Sequence, residues 1–188
     1  MNLLLLFIAF VFPVQLLADH LPDDQIAEGK AEHKLCGVNV YETTIGQVLK
    51  TNGRASTVEV ITDKQDDQYP PGSGDRTYIW NWLSLKMRIG TVYYTDKKTK
   101  KVIVSKAYAV DVWGKKPRSE IGITGQGLAL GDRLSKIEAL YGKKYDKQKI
   151  TKDEHTFVLI QWKDGTQLSI DFDKNEKISH MQLIAEVE

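Results

Sequence analysis

The sequence predicts an α+β fold made of two tandem repeats, each a helix followed by an antiparallel β-meander, with the helices packed on one side of the sheet or sheets. The first observation is a pair of similar amphipathic phrases, TTIGQVLKTNGR over 43–54 and GDRLSKIEALYGK over 131–143. Their key positions keep one constant spacing: Ile45 with Leu134, Val48 with Ile137, and Gly53 with Gly142. The second observation is that GTVYYTDKKTKKV and GTQLSIDFDKNEKI both alternate like strands around an Asp-Lys turn.

The chain begins with an apolar run, Leu3 to Val14, which is followed by the small residue Ala18. This pattern is typical of a secretory signal peptide. The alternative is a membrane anchor, but the run is shorter than the ~20 apolar residues that span a bilayer. We therefore predict a signal peptide over residues 1–18 and export to the periplasm or the extracellular space. No stable membrane insertion is expected after cleavage.

Residues 19–34 are polar and acidic, and we expect a flexible N-terminal arm there. The first repeat is expected over 35–114. Thr44 and Gln47 have the spacing of a capping box, which predicts the start of its helix near Thr44. Gly53 predicts the end of that helix. A loop rich in Asp, Pro and Gly follows over 63–75. Three strands are then predicted, at 76–88, 91–95 and 101–113.

A Gly-containing segment over 115–126 predicts a linker to the second repeat, 127–188. This repeat has its own helix, followed by predicted strands at 156–162, 167–173 and 178–187. Asp164–Gly165 marks a short hairpin between the first two of these strands, because both residue types tolerate positive φ. An amphipathic helix in each repeat would bury its apolar stripe on an antiparallel sheet with one apolar face.

Charge and cysteine content exclude several classes of protein. Lys and Arg total 26 against 25 Asp and Glu, so nothing favours a nucleic-acid partner. Cys36 is the only cysteine, and no internal disulfide can form. Its thiol would either pair with another chain or be partly buried and inert.

Aromatic residues are the main candidates for a binding surface, because Trp and Tyr dominate interface hot spots. Tyr78, Trp80 and Trp82 fall on one side of the first predicted strand, and Tyr108 and Trp113 lie on the third. The alternative is that these rings form the core beneath the helices, because large aromatic residues are usually buried. We name Tyr78, Trp80, Trp82, Tyr108 and Trp113 as binding residues.

No pattern in the sequence indicates a catalytic residue, a metal ligand or a cofactor. Asp171, Asp173 and Asn175 resemble the start of a calcium loop, but Glu176 replaces the required Gly and Gln182 replaces the bidentate carboxylate, so a hairpin end is the alternative. His155 and His180 could meet across strands, as a surface pair. We expect no bound cofactor and no metal.

The repeated helix–meander order and the phrase LALGDRLSKIEALYGK resemble the tandem-repeat fold of β-lactamase inhibitor proteins. They are also similar to small outer-membrane assembly lipoproteins. The inhibitor resemblance implies a concave sheet, lined with aromatic residues, that grips an enzyme. This chain lacks the disulfides of the inhibitors and the lipidated cysteine of the lipoproteins, so only the fold and the binding sheet carry over.

The leading functional interpretation is an exported, non-enzymatic binding protein of inhibitor-like type. It would recognise an unidentified protein partner or envelope component through its sheet surface. One alternative is a structural or assembly factor of the bacterial envelope. A second is a hydrolase with an unrecognised site, which a deep pocket with a His–carboxylate pair would favour. The oligomeric state is left open.

Overall fold

A computed structural model describes residues 22–62, 76–95, 99, 102–104, 106–150 and 155–185 of the chain. The α-helices in this part are α1 (Ile45–Asn52) and α2 (Leu134–Tyr141), and a short 3₁₀ helix covers Asp23–Gln25. The strands are β1 (Lys34–Leu35), β2 (Val38–Asn39), β3 (Thr57–Thr62), β4 (Arg76–Trp82), β5 (Met87–Thr95), β6 (Val102–Val104), β7 (Ala109–Trp113), β8 (Asp146–Ile150), β9 (His155–Gln161), β10 (Gln167–Phe172) and β11 (Ile178–Ile184). None of these described helices is long and apolar enough to cross a membrane.

Most strands join one antiparallel sheet in the order β3-β4-β5-β7-β11-β10-β9-β8, and β6 adds to β5. β1 and β2 form a separate small hairpin. The sheet passes from β7 directly to β11, the last strand of the described chain, and β11 also pairs with β10. This central pairing joins strands that are far apart in sequence into one surface.

The register gives the sheet two different faces. Side chains alternate between faces along each strand, so directly paired residues form rows across the sheet. One row is apolar: Trp80, Ile89, Val110, Leu183, Leu168 and Ile160. The next row, on the opposite face, is mostly polar: Asn81, Arg88, Asp111, Gln182, Ser169 and Leu159.

The apolar row belongs to one hydrophobic core, which also takes in both helices. Val48 of α1 and Ile137 and Tyr141 of α2 are buried in it. α1 forms where expected, because Thr44 and Gln47 make a complete capping box, and it ends at Gly53, whose φ is 74°. α2 ends at Gly142, whose φ is 82°. Both α-helices therefore pack against the apolar face, and the polar row lies on the opposite face, where all of its members except Arg88 are also buried.

The predicted α+β fold of two tandem helix-plus-meander repeats is wrong. The described chain is mostly β-structure, its two α-helices have only eight residues each, and strands β3 to β11 join one sheet rather than two repeated units. The prediction also missed β3 and β8. The physical reason is that local periodicity predicts strands but does not specify which strands pair, and pairing between β7 and β11 fuses the predicted units.

Two of the predicted segments lie wholly outside the described residues: the signal peptide over 1–18 and the loop over 63–75. In the predicted N-terminal arm, the backbone N–H of Ala27 donates to the carbonyl of Gln161 at 2.8 Å. Glu32, in the same segment, is buried. In the predicted linker, Thr124 is buried and bridges to Leu35 of β1. Both segments therefore contact the body of the protein.

Candidate functional site

Three of the predicted binding residues lie on the core side of the sheet. Trp82 is only 2% exposed, and its indole N–H donates to the carbonyl of Gly53 at 3.0 Å. Trp80 is half-buried and donates to the hydroxyl of Thr91 at 3.0 Å. The ring of Tyr78 stacks on Trp80 with centroids 6.3 Å apart. Trp82 is thus a core residue, Trp80 packs against the core, and Tyr78 contacts Trp80 and Tyr93.

The remaining two, Tyr108 and Trp113, lie on the opposite, polar face. Trp113 is in direct register with His180. The ring of Tyr108 lies over Gly90, where an added Cβ would stand 2.9 Å from the ring carbons. A side chain at position 90 would displace that ring, so the glycine keeps it seated on the sheet. The structure therefore separates the five predicted residues into two groups on opposite faces.

Beside Trp113 the polar face carries a network of four ionisable side chains. The guanidinium Nε of Arg88 donates to Asp111 Oδ2 at 2.6 Å, and its terminal nitrogen contacts the same oxygen. His180 uses both ring nitrogens: Nε2 contacts Asp111 Oδ1, and Nδ1 lies 2.6 Å from Asp171 Oδ2. The guanidinium carbon of Arg88 also lies 5.3 Å from the Trp113 ring centroid, within cation–π range.

The network is held in its ionised form. Burial acts to raise the pKa of Asp111, but the charges and hydrogen bonds of His180 and Arg88 outweigh burial and hold that pKa below its usual value. Burial acts to lower the pKa of His180, but Asp111 and Asp171 raise it to about 10. At neutral pH two cations thus face two carboxylates, and the network as a whole is neutral.

This arrangement limits what His180 can do chemically. A general base needs a neutral imidazole with a free nitrogen within reach of the substrate. His180 is protonated at neutral pH, and both of its nitrogens donate to carboxylates. The network is therefore suited to holding charged groups in a fixed geometry and not to proton abstraction.

A second His–carboxylate pair lies elsewhere, at a groove of about 400 Å³. His33 Nε2 is 2.7 Å from Asp164 Oδ2, and the ring of Tyr41 meets His33 edge-on with centroids 5.0 Å apart. Burial acts to raise the pKa of Asp164, but hydrogen bonds from His33 and Thr166 hold it below its usual value. Both members of the pair are more than a third exposed, so it is a hydrogen-bonded surface pair beside an open groove.

The residues that resemble the start of a calcium loop have other partners in the structure. Asp171 contacts His180, and Asp173 Oδ1 accepts hydrogen bonds from the backbone N–H groups of Asn175 and Lys177 at 2.8 and 3.1 Å. These bonds shape the turn between β10 and β11. Within the residues that the structure describes, no cluster of three or more His, Cys, Asp or Glu is arranged to hold a metal ion.

Sequence reasoning did not single out Arg88 or Asp111, and it considered His180 only with His155. A signal was present, because Asp111 interrupts the apolar strand AVDVW and Asp171 interrupts QLSIDF. A carboxylate inside an apolar strand needs a partner across the sheet, since an unpaired buried charge is costly. Identifying that partner requires knowing which residues of the neighbouring strands are paired with the carboxylate.

No protein-family model matches the chain, and no curated protein matches it. Among solved structures, the chain is similar to a DUF4309 family protein (YjgB) from Bacillus subtilis subsp. subtilis str. 168. The identity is 12%, the match covers 80% of this chain and 83% of that one, and the TM-score is 0.39. A similarity this weak supports no conclusion about fold or function.

Proposed function

We propose that this protein is an exported, non-enzymatic binding protein that recognises a protein or envelope component through the polar side of its sheet. We call the recognition surface the charged face. It consists of Arg88, Tyr108, Asp111, Trp113, Asp171 and His180. The observation that carries the proposal is the Arg88–Asp111–His180–Asp171 network on the face of the sheet opposite the helices, with the Trp113 ring beside Arg88 and His180.

The composition and rigidity of the charged face suit recognition. Trp, Tyr and Arg are the residue types that contribute most at protein interfaces. The side chains of Arg88, His180 and Asp171 are 24%, 25% and 33% exposed, so each is held by neighbours yet reachable from solvent. Groups fixed before binding lose less conformational entropy when a partner docks.

The state of His180 supports the non-enzymatic part of the proposal. Its two nitrogens are both engaged with carboxylates, and its raised pKa keeps it charged. The hydrolase alternative therefore gains no support from this His–carboxylate contact. Export is proposed from the apolar run before Ala18.

The test is capture of an envelope partner by the purified chain carrying residues 22–188. We expect Trp113→Ala and Tyr108→Ala each to abolish capture, because each removes a ring of the charged face. The matched control is Val60→Ala, which truncates a side chain 43% exposed on an edge strand and on the other face. It should capture the partner like the parent chain.

Circular dichroism and thermal unfolding of all three variants would verify that they are folded. Capture that survives both Trp113→Ala and Tyr108→Ala in folded protein would contradict the proposal. Trp82→Ala is not a suitable probe of recognition, because this buried side chain would instead cost about 3–5 kcal/mol of stability.

A further inference from the structure

A second concave feature lies next to the charged face, a groove of about 230 Å³ at the start of β5 and the end of β7. Its floor is apolar and includes Val112, Trp113 and Leu130. Leu130 is seated tightly, because a Cβ on Gly122 would stand 2.7 Å from its Cδ1. The volume is below the range typical of drug-sized or cofactor sites, so it suits one inserted side chain.

All the charged residues that line this groove are cationic, and we call the whole feature the basic groove. Its charged lining residues are Lys86, Lys115, Lys116 and Arg118. Arg118 Nη1 donates to the carbonyl of Ser84 at 3.0 Å, which ties the segment after β7 to the turn between β4 and β5. Within the described part of the chain, none of the four forms an ion pair with a carboxylate.

The acidic residues close by in sequence are used elsewhere. Asp111 is enclosed by Arg88 and His180. Glu120 Oε2 stands 2.9 Å from where a Cβ on Gly37 would be, outside the lining of the groove. The chain as a whole has a net charge of only +1. Four cations around one recess, with no carboxylate paired to them among the described residues, are therefore a local feature and not a reflection of a basic protein.

A recess lined by one sign of charge concentrates the electrostatic field and raises the local concentration of ligands of opposite charge. The apolar floor adds a second requirement, an apolar group that leaves water. A ligand that meets both has carboxylates spaced around one large apolar side chain. A membrane surface fits less well, because membrane-binding patches present their apolar residues outward and this floor is recessed.

We propose that the basic groove binds a short acidic peptide segment of the partner, with an apolar side chain inserted against Trp113 and Leu130. The inference rests on the proposed function, because Trp113 belongs to both the charged face and the basic groove. It adds that the partner segment carries carboxylates, which would contact the cationic side chains of the groove: Lys86, Lys115, Lys116 and Arg118.

The experiment measures fluorescence anisotropy of a labelled pentapeptide with four glutamates around a central phenylalanine. A second peptide replaces the glutamates with glutamines. We expect the acidic peptide to bind at least about tenfold more tightly than the neutral one. We also expect its affinity to fall as salt is raised, since exposed charges are screened. Equal binding of the two peptides would overturn the inference.

The decisive variant is the double change Lys115→Gln/Lys116→Gln. It should weaken binding of the acidic peptide by about tenfold or more. The matched control, Lys136→Gln/Lys143→Gln, removes the same charge from exposed positions on and just after α2 and should bind normally. If both double variants lose affinity equally, the basic groove is not the site.

Two further outcomes separate the competing explanations. Cosedimentation with phosphatidylglycerol vesicles that depends on Lys115 and Lys116, without peptide binding, would overturn the inference in favour of a lipid surface. If Tyr108→Ala abolishes partner capture but the Lys115/Lys116 variant binds partner and peptide normally, the basic groove fails while the proposed function stands. If peptide binding needs both lysines but capture survives Tyr108→Ala and Trp113→Ala, the charged face fails instead.

Discussion

The hydroxyl of Tyr141 donates a hydrogen bond of 2.9 Å to the carboxylate of Glu32, which is 109 residues away in sequence and only 2% exposed. The same carboxylate accepts backbone N–H bonds from Gly125 and Gln126 at 3.2 and 3.0 Å. The Tyr141 hydroxyl also meets Thr124 Oγ1 at 2.9 Å. One buried acid thus joins the N-terminal segment to α2 and to the segment before it.

Glu32→Ala should lower the free energy of unfolding by about 3 kcal/mol, because the buried Tyr141 hydroxyl and the part-buried N–H groups of Gly125 and Gln126 lose their acceptor. Tyr141→Phe should cost about 1–2 kcal/mol, since it removes one donor and keeps the ring. Urea unfolding of each variant measures both losses. Glu28→Ala, which removes an exposed carboxylate paired with Lys144, is the control and should leave stability nearly unchanged. Equal losses from Glu28→Ala and Glu32→Ala would contradict this account of Glu32.

The His180 network predicts a fall in stability on the alkaline side of neutrality. The folded-state pKa of His180 is raised from 6.5 to about 10, so its contribution is complete below about pH 6.5 and is lost as the pH rises toward 10. Asp111 acts in the opposite sense, because its lowered pKa gives stability that is lost as the pH falls below the usual value of 3.8.

Urea unfolding between pH 6 and 10 checks this prediction. In His180→Gln the decline from pH 6.5 upward should be clearly smaller than in the parent chain. At pH 6 the variant should be less stable by roughly 3 kcal/mol, because a buried carboxylate loses one partner. Comparison with the variant removes the contribution of all the other titrating groups, because the two proteins share them. Parallel curves for the two proteins would show that His180 is not the titrating group.

The thiol of Cys36 should be inert in the folded protein. Burial raises its pKa to about 12, and the backbone N–H of Gly122 donates to its sulfur at 3.3 Å. Because the thiolate is the reactive form, a disulfide reagent at pH 8 should modify native protein more than about a hundredfold more slowly than protein in guanidinium. Rapid, complete modification of the native chain would instead favour pairing of Cys36 with another chain.

Two glycines at similar backbone angles should respond differently to alanine. Gly131 has φ 91° and Gly142 has φ 82°, so each substitution forces a side chain into the left-handed region. A Cβ at Gly131 would also stand 2.8 Å from the backbone oxygen of Lys115, whereas one at Gly142 meets nothing within 4 Å. Thermal unfolding should show Gly131→Ala less stable than Gly142→Ala by about 1 kcal/mol or more. If Gly142→Ala were instead the less stable variant, the backbone at Lys115 would be able to move away from the new Cβ at little energetic cost.

Local chemistry allowed several elements to be predicted from the sequence. α1 follows from the Thr44–Gln47 capping box and the terminal Gly53, which act within a few residues. β10 and β11 follow from their apolar alternation and the turn between them. β8 reads DKQKI, which has little apolar periodicity, so it gave no comparable signal.

The candidate site depends on pairing that local patterns do not contain. Tyr108 and Trp113 could be chosen as aromatic residues, but their separation from Trp82 depends on the register between β4, β5 and β7. Arg88, Asp111 and His180 meet only because β7 lies between β5 and β11. The strand order therefore had to be known before the charged face could be located.

The position of β11 constrains how the protein is made. Residues 178–184 fill the middle of the sheet, between β7 and β10, yet they are synthesised after every other described strand. Until β11 has been synthesised, β7 and β10 each have one edge whose backbone N–H and C=O groups lack their native partner. Such edges are prone to wrong pairing. A nascent chain stopped at residue 173 should accordingly be protease-sensitive and aggregate, whereas release of residues 178–184 should confer resistance in one late, cooperative step.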